Sequence, residues 1–185
     1  MFVTQSIMKT PLFALICGLA LAGGGLTRAM AYGPNDATVR TTVMFFEPEK
    51  FTDVANRAFG DSDQERNETL SDLRTHFIKQ ANRLLAPGQQ LKITFTDIDL
   101  AGEFEPWRGG ALADVRIVKD IYPPTMKLAF QLKDADGNVL KQGDRTLRDM
   151  GFMMTLSIDR NDPLRFEKEL FDNWVRDEFR GLKNK

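Results

Sequence analysis

Two hydrophobic periods alternate along this chain, and each change of period marks an element. Val39, Thr41, Val43 and Phe45 alternate with Arg40 and Thr42, which predicts a first strand ending near Phe46, ahead of Pro48. Ser62 followed three residues later by Glu65 is a capping box that opens a helix. Leu70, Leu73, Phe77, Ala81, Leu84 and Leu85 then form one apolar stripe, and Pro87-Gly88 stops it. Period two returns with Leu91, Ile93 and Phe95 against Lys92, Thr94 and Thr96. The phase then slips: Asp97 takes the next apolar slot, and Ile98 and Leu100 carry the pattern on. Such a slip predicts either a strand end or a bulge. Ala113, Val115 and Ile117 predict another strand, and Tyr122-Pro123-Pro124 an extended connection. Met126, Leu128, Phe130 and Leu132 alternate with Lys127, Ala129, Gln131 and Lys133, and Val139 to Leu147 returns as the hairpin partner.

Between those last two runs, Asp134-Ala135-Asp136-Gly137-Asn138 reads as an Asp-Gly turn. Its glycine comes too early for a calcium loop, and no Glu closes twelve residues. Asp162-Pro163 opens a second helix with Leu170, Phe171, Trp174, Val175 and Phe179 on its apolar face and Asp172 and Arg176 placed to pair on the other. This order predicts an α+β fold: a mostly antiparallel sheet of about five strands with two amphipathic helices on one face. The first strand and the one at Leu91 flank a helix, as parallel neighbours joined by a right-handed crossover do.

The amino terminus has another pattern. Lys9, the apolar run Pro11 to Ala22 and Ala29-Met30-Ala31 make residues 1–31 a signal peptide cleaved after Ala31, with residues 32–185 a single mature domain. Met8-Lys9 would itself start a conventional signal, so translation can begin at Met1 or Met8. The one cysteine, Cys17, lies inside this segment without a lipoprotein pattern around it, so the mature chain carries no thiol. These features place the protein in the periplasm. Removing residues 1–31 takes away Lys9 and Arg28 and leaves 23 basic against 26 acidic residues, net −3. That balance argues against a nucleic-acid partner. No transmembrane segment follows in the mature chain, and a domain of this size buries roughly 68 to 70% of its unfolded surface.

Candidate chemistry concentrates after Phe95. Asp97, Asp99, Glu103 and Glu105 fall within nine positions, enough carboxylates for a hard cation or an acid and base pair, with Asp53 as a further contributor. The same groups can instead be solvated or paired with Arg108, Arg116 and Lys119. Trp107, between Pro106 and Arg108-Gly109-Gly110, is either an exposed binding anchor or an indole folded back over a sheet edge. His76 lies beside the apolar stripe of the first helix and reads as a boundary packing residue. Met150, Met153 and Met154 beside Phe152 read as gap-filling packing. No cofactor motif is present.

The runs PEKFTD (Pro48 to Asp53), FTDIDLAGEFEPW (Phe95 to Trp107), DVRIVKDIYPP (Asp114 to Pro124), LKDADGNVLKQGD (Leu132 to Asp144) and DPLRFEKELFDNW (Asp162 to Trp174) carry a resemblance. Across essentially the whole mature chain, the sequence resembles the secreted bacterial family called domain of unknown function 3016. The resemblance implies an exported protein of Gram-negative bacteria and supplies no catalytic residue. The leading expectation is a non-catalytic binding or envelope accessory domain whose partner is an envelope protein or component. Its contact surface would be the uncovered sheet face and the loop Glu103 to Gly110, including Trp107 and Arg108. The alternative is a metal-dependent or carboxylate-based hydrolase built on Asp97, Asp99 and Glu103, with Asp53 or Glu105 as a further contributor. Oligomeric state is left open.

Overall fold

Alternating β-branched and aromatic residues build the central layer, and two apolar helical stripes cover one side of it. The structure, a computed structural model, describes residues 40–54, 63–110, 113–154 and 160–181. The expected signal peptide, Val39 and the Ser62 cap lie outside the described residues. The elements are β1 (Thr41–Phe45), α1 (Asp63–Leu84), β2 (Gln90–Asp99), β3 (Glu103–Phe104), β4 (Arg116–Ile117), β5 (Thr125–Lys133), β6 (Val139–Arg148) and α2 (Arg165–Glu178). Short 3-10 turns occupy Pro48–Lys50, Pro106–Arg108 and Phe152–Met154.

The fold is α+β. The main sheet has the order β1-β2-β5-β6, with β1 parallel to β2 and the other two ladders antiparallel, so it is mixed. Four strands make it up, where about five were expected. The run at Ala113 contributes only Arg116 and Ile117, which pair with Phe104 and Glu103 in a separate ribbon. The physical reason is space: β2 is already flanked by β1 and β5, and the buried Pro123 and Pro124 lead straight into β5. The phase slip at Asp97 is a bulge, not a strand end. Phe95 pairs with Leu128 and Asp97 with Lys127, so Thr96 is the extra residue and the strand continues to Asp99.

Val43, Leu91, Ile93, Phe95, Ile98, Met126, Leu128, Phe130 and Leu132 form the buried face of the sheet and share one core with Leu70, Leu73, Phe77 and Ala81 of α1 and Leu170, Phe171, Trp174 and Val175 of α2. Both helices therefore lie on one face. At the centre, Phe77 stacks on Phe171 with ring centroids 4.0 Å apart and on Phe95 at 5.1 Å. Trp174 meets Phe130, Phe171 and Phe179 edge to face. His76 Nε2 lies 2.8 Å from Asp172 Oδ1, bridging the helices as a boundary residue. Asp172 thus turns to His76, and Arg176 donates instead to Asn173 Oδ1 at 2.9 Å.

Polar contacts close the ends. Arg40 donates to the carbonyls of Asn82, Leu85 and Ala86 at 2.8, 3.0 and 3.1 Å, satisfying acceptors that the end of α1 leaves open. In the hairpin turn, Asp134 Oδ1 accepts from the backbone N–H of Asp136 and Asn138, both at 2.9 Å, the work of a turn residue and not of a calcium ligand. Asp162 Oδ1 accepts from Leu164 N–H at 2.8 Å and so marks the entry to α2.

Phe77 joins both helices to the sheet. Replacing it with alanine is expected to lower unfolding free energy by about 3–5 kcal/mol in urea denaturation, with the m-value unchanged.

Candidate functional site

The bulge at Thr96 turns the end of β2 around. Ile98 stays in the core, while Asp97 and Asp99 share the face away from the helices, the same face as Lys127. Each aspartate then meets a different environment. Thr52 donates its backbone N–H to Asp97 Oδ1 at 2.8 Å and its hydroxyl to Oδ2 at 3.1 Å, and Lys127 Nζ donates to Oδ2 at 2.8 Å. Burial works against the charge on Asp97, but the Lys127 and Thr52 hydrogen bonds outweigh it and hold the carboxyl below its ordinary range. Asp97 is thus a clamp that fastens the segment after β1 to β2.

Next to it, Asp53 forms an isolated parallel bridge with Asp99, with Asp53 N–H donating to Ile98 O and Leu100 N–H to Asp53 O, both at 3.1 Å. Asp53 Oδ2 accepts from Arg116 Nη2 at 2.7 Å. Among the described residues, no cation donates a hydrogen bond to Asp99. Burial first, then the negative neighbours Asp53, Asp97 and Glu103, push it up to about 6, with Arg116 opposing.

Arg116 organises the next layer. Its guanidinium also donates to Gly102 O at 3.0 Å and lies over the Phe104 ring at 4.6 Å. Gly102 has φ 88°, and a Cβ there would sit 2.9 Å from Ile117 O, so only glycine lets the β3–β4 ribbon close. From α2, the buried Glu167 accepts the Ala101 N–H at 2.6 Å, and burial pushes its carboxyl up.

Glu105 follows the ribbon and is buried; of the two expectations, solvated or paired with neighbouring bases, it takes the second, with Arg108 and Lys119. Arg108, Lys119 and the Tyr122 hydroxyl all donate to it, the last at 3.1 Å. These donors, Lys119 first, hold it down at about 2 against burial. The Pro106–Arg108 turn therefore rises from a fixed base. Trp107, in the middle of that turn, is 71% exposed, so it does not fold back over the sheet edge. Among the described residues, nothing lies within 4 Å of where a Cβ would stand at Gly109 or Gly110.

The Glu105 hub also fixes the segment that bears exposed Ile121. Phe152 packs with Ala101, Phe166 and Val118, which brings the 150–154 segment to the same end. There the expectation of buried methionines fails: Met150, Met153 and Met154 are all exposed, because Phe152 alone fills the space beneath. On the open sheet face, a concavity of about 350 Å³ is lined by Lys92, Thr94, Ala129, Gln131, Gln142 and Asp144.

The structure thus groups Asp53, Asp97, Asp99 and Glu103 electrostatically and separates Glu105, Trp107 and Arg108 as an anchored turn. Among the described residues, no set of three His, Cys, Asp or Glu side chains is arranged to hold a metal ion. Sequence reasoning missed Thr52 and Tyr122 as partners. Lys119 was in view as a neighbouring base, but Thr52 lies 45 residues from Asp97 and left no local signal.

Two titrations follow. Asp99 has a folded pKa of about 6 against an ordinary 3.8, so the folded state gives up stability as pH rises through that window. Asp99→Asn should raise the melting temperature above about pH 6 and change nothing near pH 3.5; a gain of equal size at both would contradict the assignment. Glu105 behaves oppositely, at about 2 against an ordinary 4.5, so its contribution is full above the higher value and lost as pH falls toward the lower. Glu105→Gln should lower the melting temperature at neutral pH, and the gap from wild type should close during acidification.

Residues 39–177 match the model of a family described as protein of unknown function, DUF3016. No curated protein and no solved structure matches the chain. Among the described residues, no helix is long and apolar enough to cross a membrane. By the extent of the family match, which runs from β1 to the last turn of α2, the chain belongs to the DUF3016 family.

Proposed function

We propose that this chain is an exported, non-catalytic binding protein of the cell envelope, which grips an envelope protein or component with the Trp107 turn and the neighbouring uncovered sheet face. One observation carries the reading: an indole 71% exposed sits on a turn whose base is held by a buried carboxylate with three side-chain donors. An aromatic side chain offers about 150–250 Å² for burial, and leaving it in water forgoes that gain. Fixing the turn beforehand removes an ordering cost from association. Trp, Met and Arg are the residue types that interfaces favour, and Met150, Met153, Met154 and Arg108 are exposed or half-exposed at this end. Export rests on the charge, apolar run and small-residue site of residues 1–31. The alternative, a metal-dependent or carboxylate-based hydrolase, needs Asp97, Asp99 and Glu103, with Asp53 or Glu105, to converge with oxygens available for chemistry. Both oxygens of Asp97 are already committed to Thr52 and Lys127, which favours the binding reading.

The test is cross-linking in intact cells followed by mass spectrometry of the envelope fraction, wild type beside Trp107→Ala. A specific adduct should form with the wild type and fall by about tenfold or more in the variant, as for a central interface anchor. Adducts unchanged by Trp107→Ala would reject the turn as the contact, and retention of the protein in the cytoplasmic fraction would reject export.

A further inference from the structure

The main sheet ends on two unlike edges. β1 is five residues long and runs into a turn at Glu47, which adopts φ 50°. β6 is ten residues long, contains no proline and, among the described residues, pairs with β5 alone. Its ladder with β5 shifts register at Leu140, and from Lys141 to Arg148 the edge is regular and presents a row of backbone N–H and C=O groups to any strand that arrives. Edges are commonly guarded by charged side chains, and β6 carries four of them, Lys141, Asp144, Arg145 and Arg148. Lys141 and Arg145 are committed elsewhere. Arg145 donates twice to the Glu178 carboxylate at 2.8 Å and lies over the Phe130 ring at 5.2 Å, and Lys141 donates to the Glu178 carbonyl at 2.6 Å. These charges are drawn onto α2 and the core face, away from the free edge.

On the open face, β6 carries Gln142, Asp144, Thr146 and Arg148, since their neighbours Gly143, Arg145 and Leu147 lie opposite the buried Phe130, Leu128 and Met126. The Asp144 carboxylate and the Arg148 guanidinium make no hydrogen bond or salt bridge among the described residues. They stand four residues apart on one face, with opposite sign.

We propose that β6 is a dimerisation edge, at which a second copy of this chain adds antiparallel about a two-fold axis at Thr146 and continues the sheet. A two-fold axis normal to a sheet places residues of the same face opposite each other, so it must pass through a residue position. Centred on Asp144, the register sets two like carboxylates face to face. Centred on Gln142, it leaves Asp144 opposite Leu140. Centred on Thr146, it sets Asp144 of each copy against Arg148 of the other, two opposite-charge cross-strand pairs, with threonine against threonine on the axis. Opposite charges in that position stabilise pairing and like charges oppose it. The inference does not depend on the Trp107 turn, which plays no part in it.

Sedimentation equilibrium of the purified protein tests it, with circular dichroism melts as the folding control for each variant. The wild type is expected to dimerise at micromolar concentration. Arg148→Asp, which turns both pairs repulsive, is expected to weaken the dimer by about tenfold or more, and the exchange Asp144→Arg with Arg148→Asp to restore it. Hydrogen exchange at β6 amides should slow with rising protein concentration in the wild type and the exchanged variant only. A wild type that stays monomeric at about 100 times that concentration overturns the proposal, as does a dimer indifferent to Arg148→Asp.

Discussion

Phe77 stacks between Phe95 of the sheet and Phe171 of α2, and through these rings the sheet and its two helices become one object. Each element alone is a half-apolar surface. β1 and β2 run parallel, so the chain between them must pass over a sheet face, and α1 makes that passage. Its stripe is only five buried apolar side chains wide from Leu70 to Leu85, and α2 fills the remaining width with Phe171 and Trp174. The other sheet face receives no helix among the described residues, and its Thr, Gln and Lys side chains suit water.

The bulge at Thr96 has consequences out of proportion to one extra residue. Without it Asp97 would point into the core beneath α1. With it, Asp97 reaches Thr52 and Lys127 and draws the segment after β1 back onto β2. That segment carries Asp53, which holds Arg116; Arg116 ties the β3–β4 ribbon to Gly102; and the ribbon delivers Glu105 to Lys119 and Tyr122. The turn at Trp107 is the last member of a series that begins with a register shift.

How far the sequence revealed this differs from step to step. The strands with one apolar face, both helical stripes, the parallel pairing of β1 with β2 and the irregularity at Asp97 were legible, because each is a local period or a break in one. The strand expected at Ala113 was not realised in the main sheet: its alternation is genuine, but only Arg116 and Ile117 pair, and they do so with Phe104 and Glu103 in a separate ribbon. Burial of Glu105 was illegible for a similar reason. Glu105 is held in the interior by several converging donors, which come from positions 3, 14 and 17 residues away in a loop with no period of its own. Exposure of the methionines near 150 inverted the usual rule because one neighbour, Phe152, satisfied the local need for burial.

The two tryptophans show what separates structural from available surface in this chain. Trp174 lies on a helical stripe, meets three aromatic rings and donates its indole N–H to Glu178 at 3.2 Å. That same carboxylate gathers Lys141 and Arg145, so one acid neutralises two of the guard charges of β6 and satisfies the indole together. Trp107 has an equally elaborate polar apparatus, but Glu105 and its donors hold the backbone beneath the ring and leave the ring itself in water. Under the binding proposal, the fixed turn lowers the ordering cost that covering this indole would otherwise carry, whereas Trp174 has already buried its surface in the core.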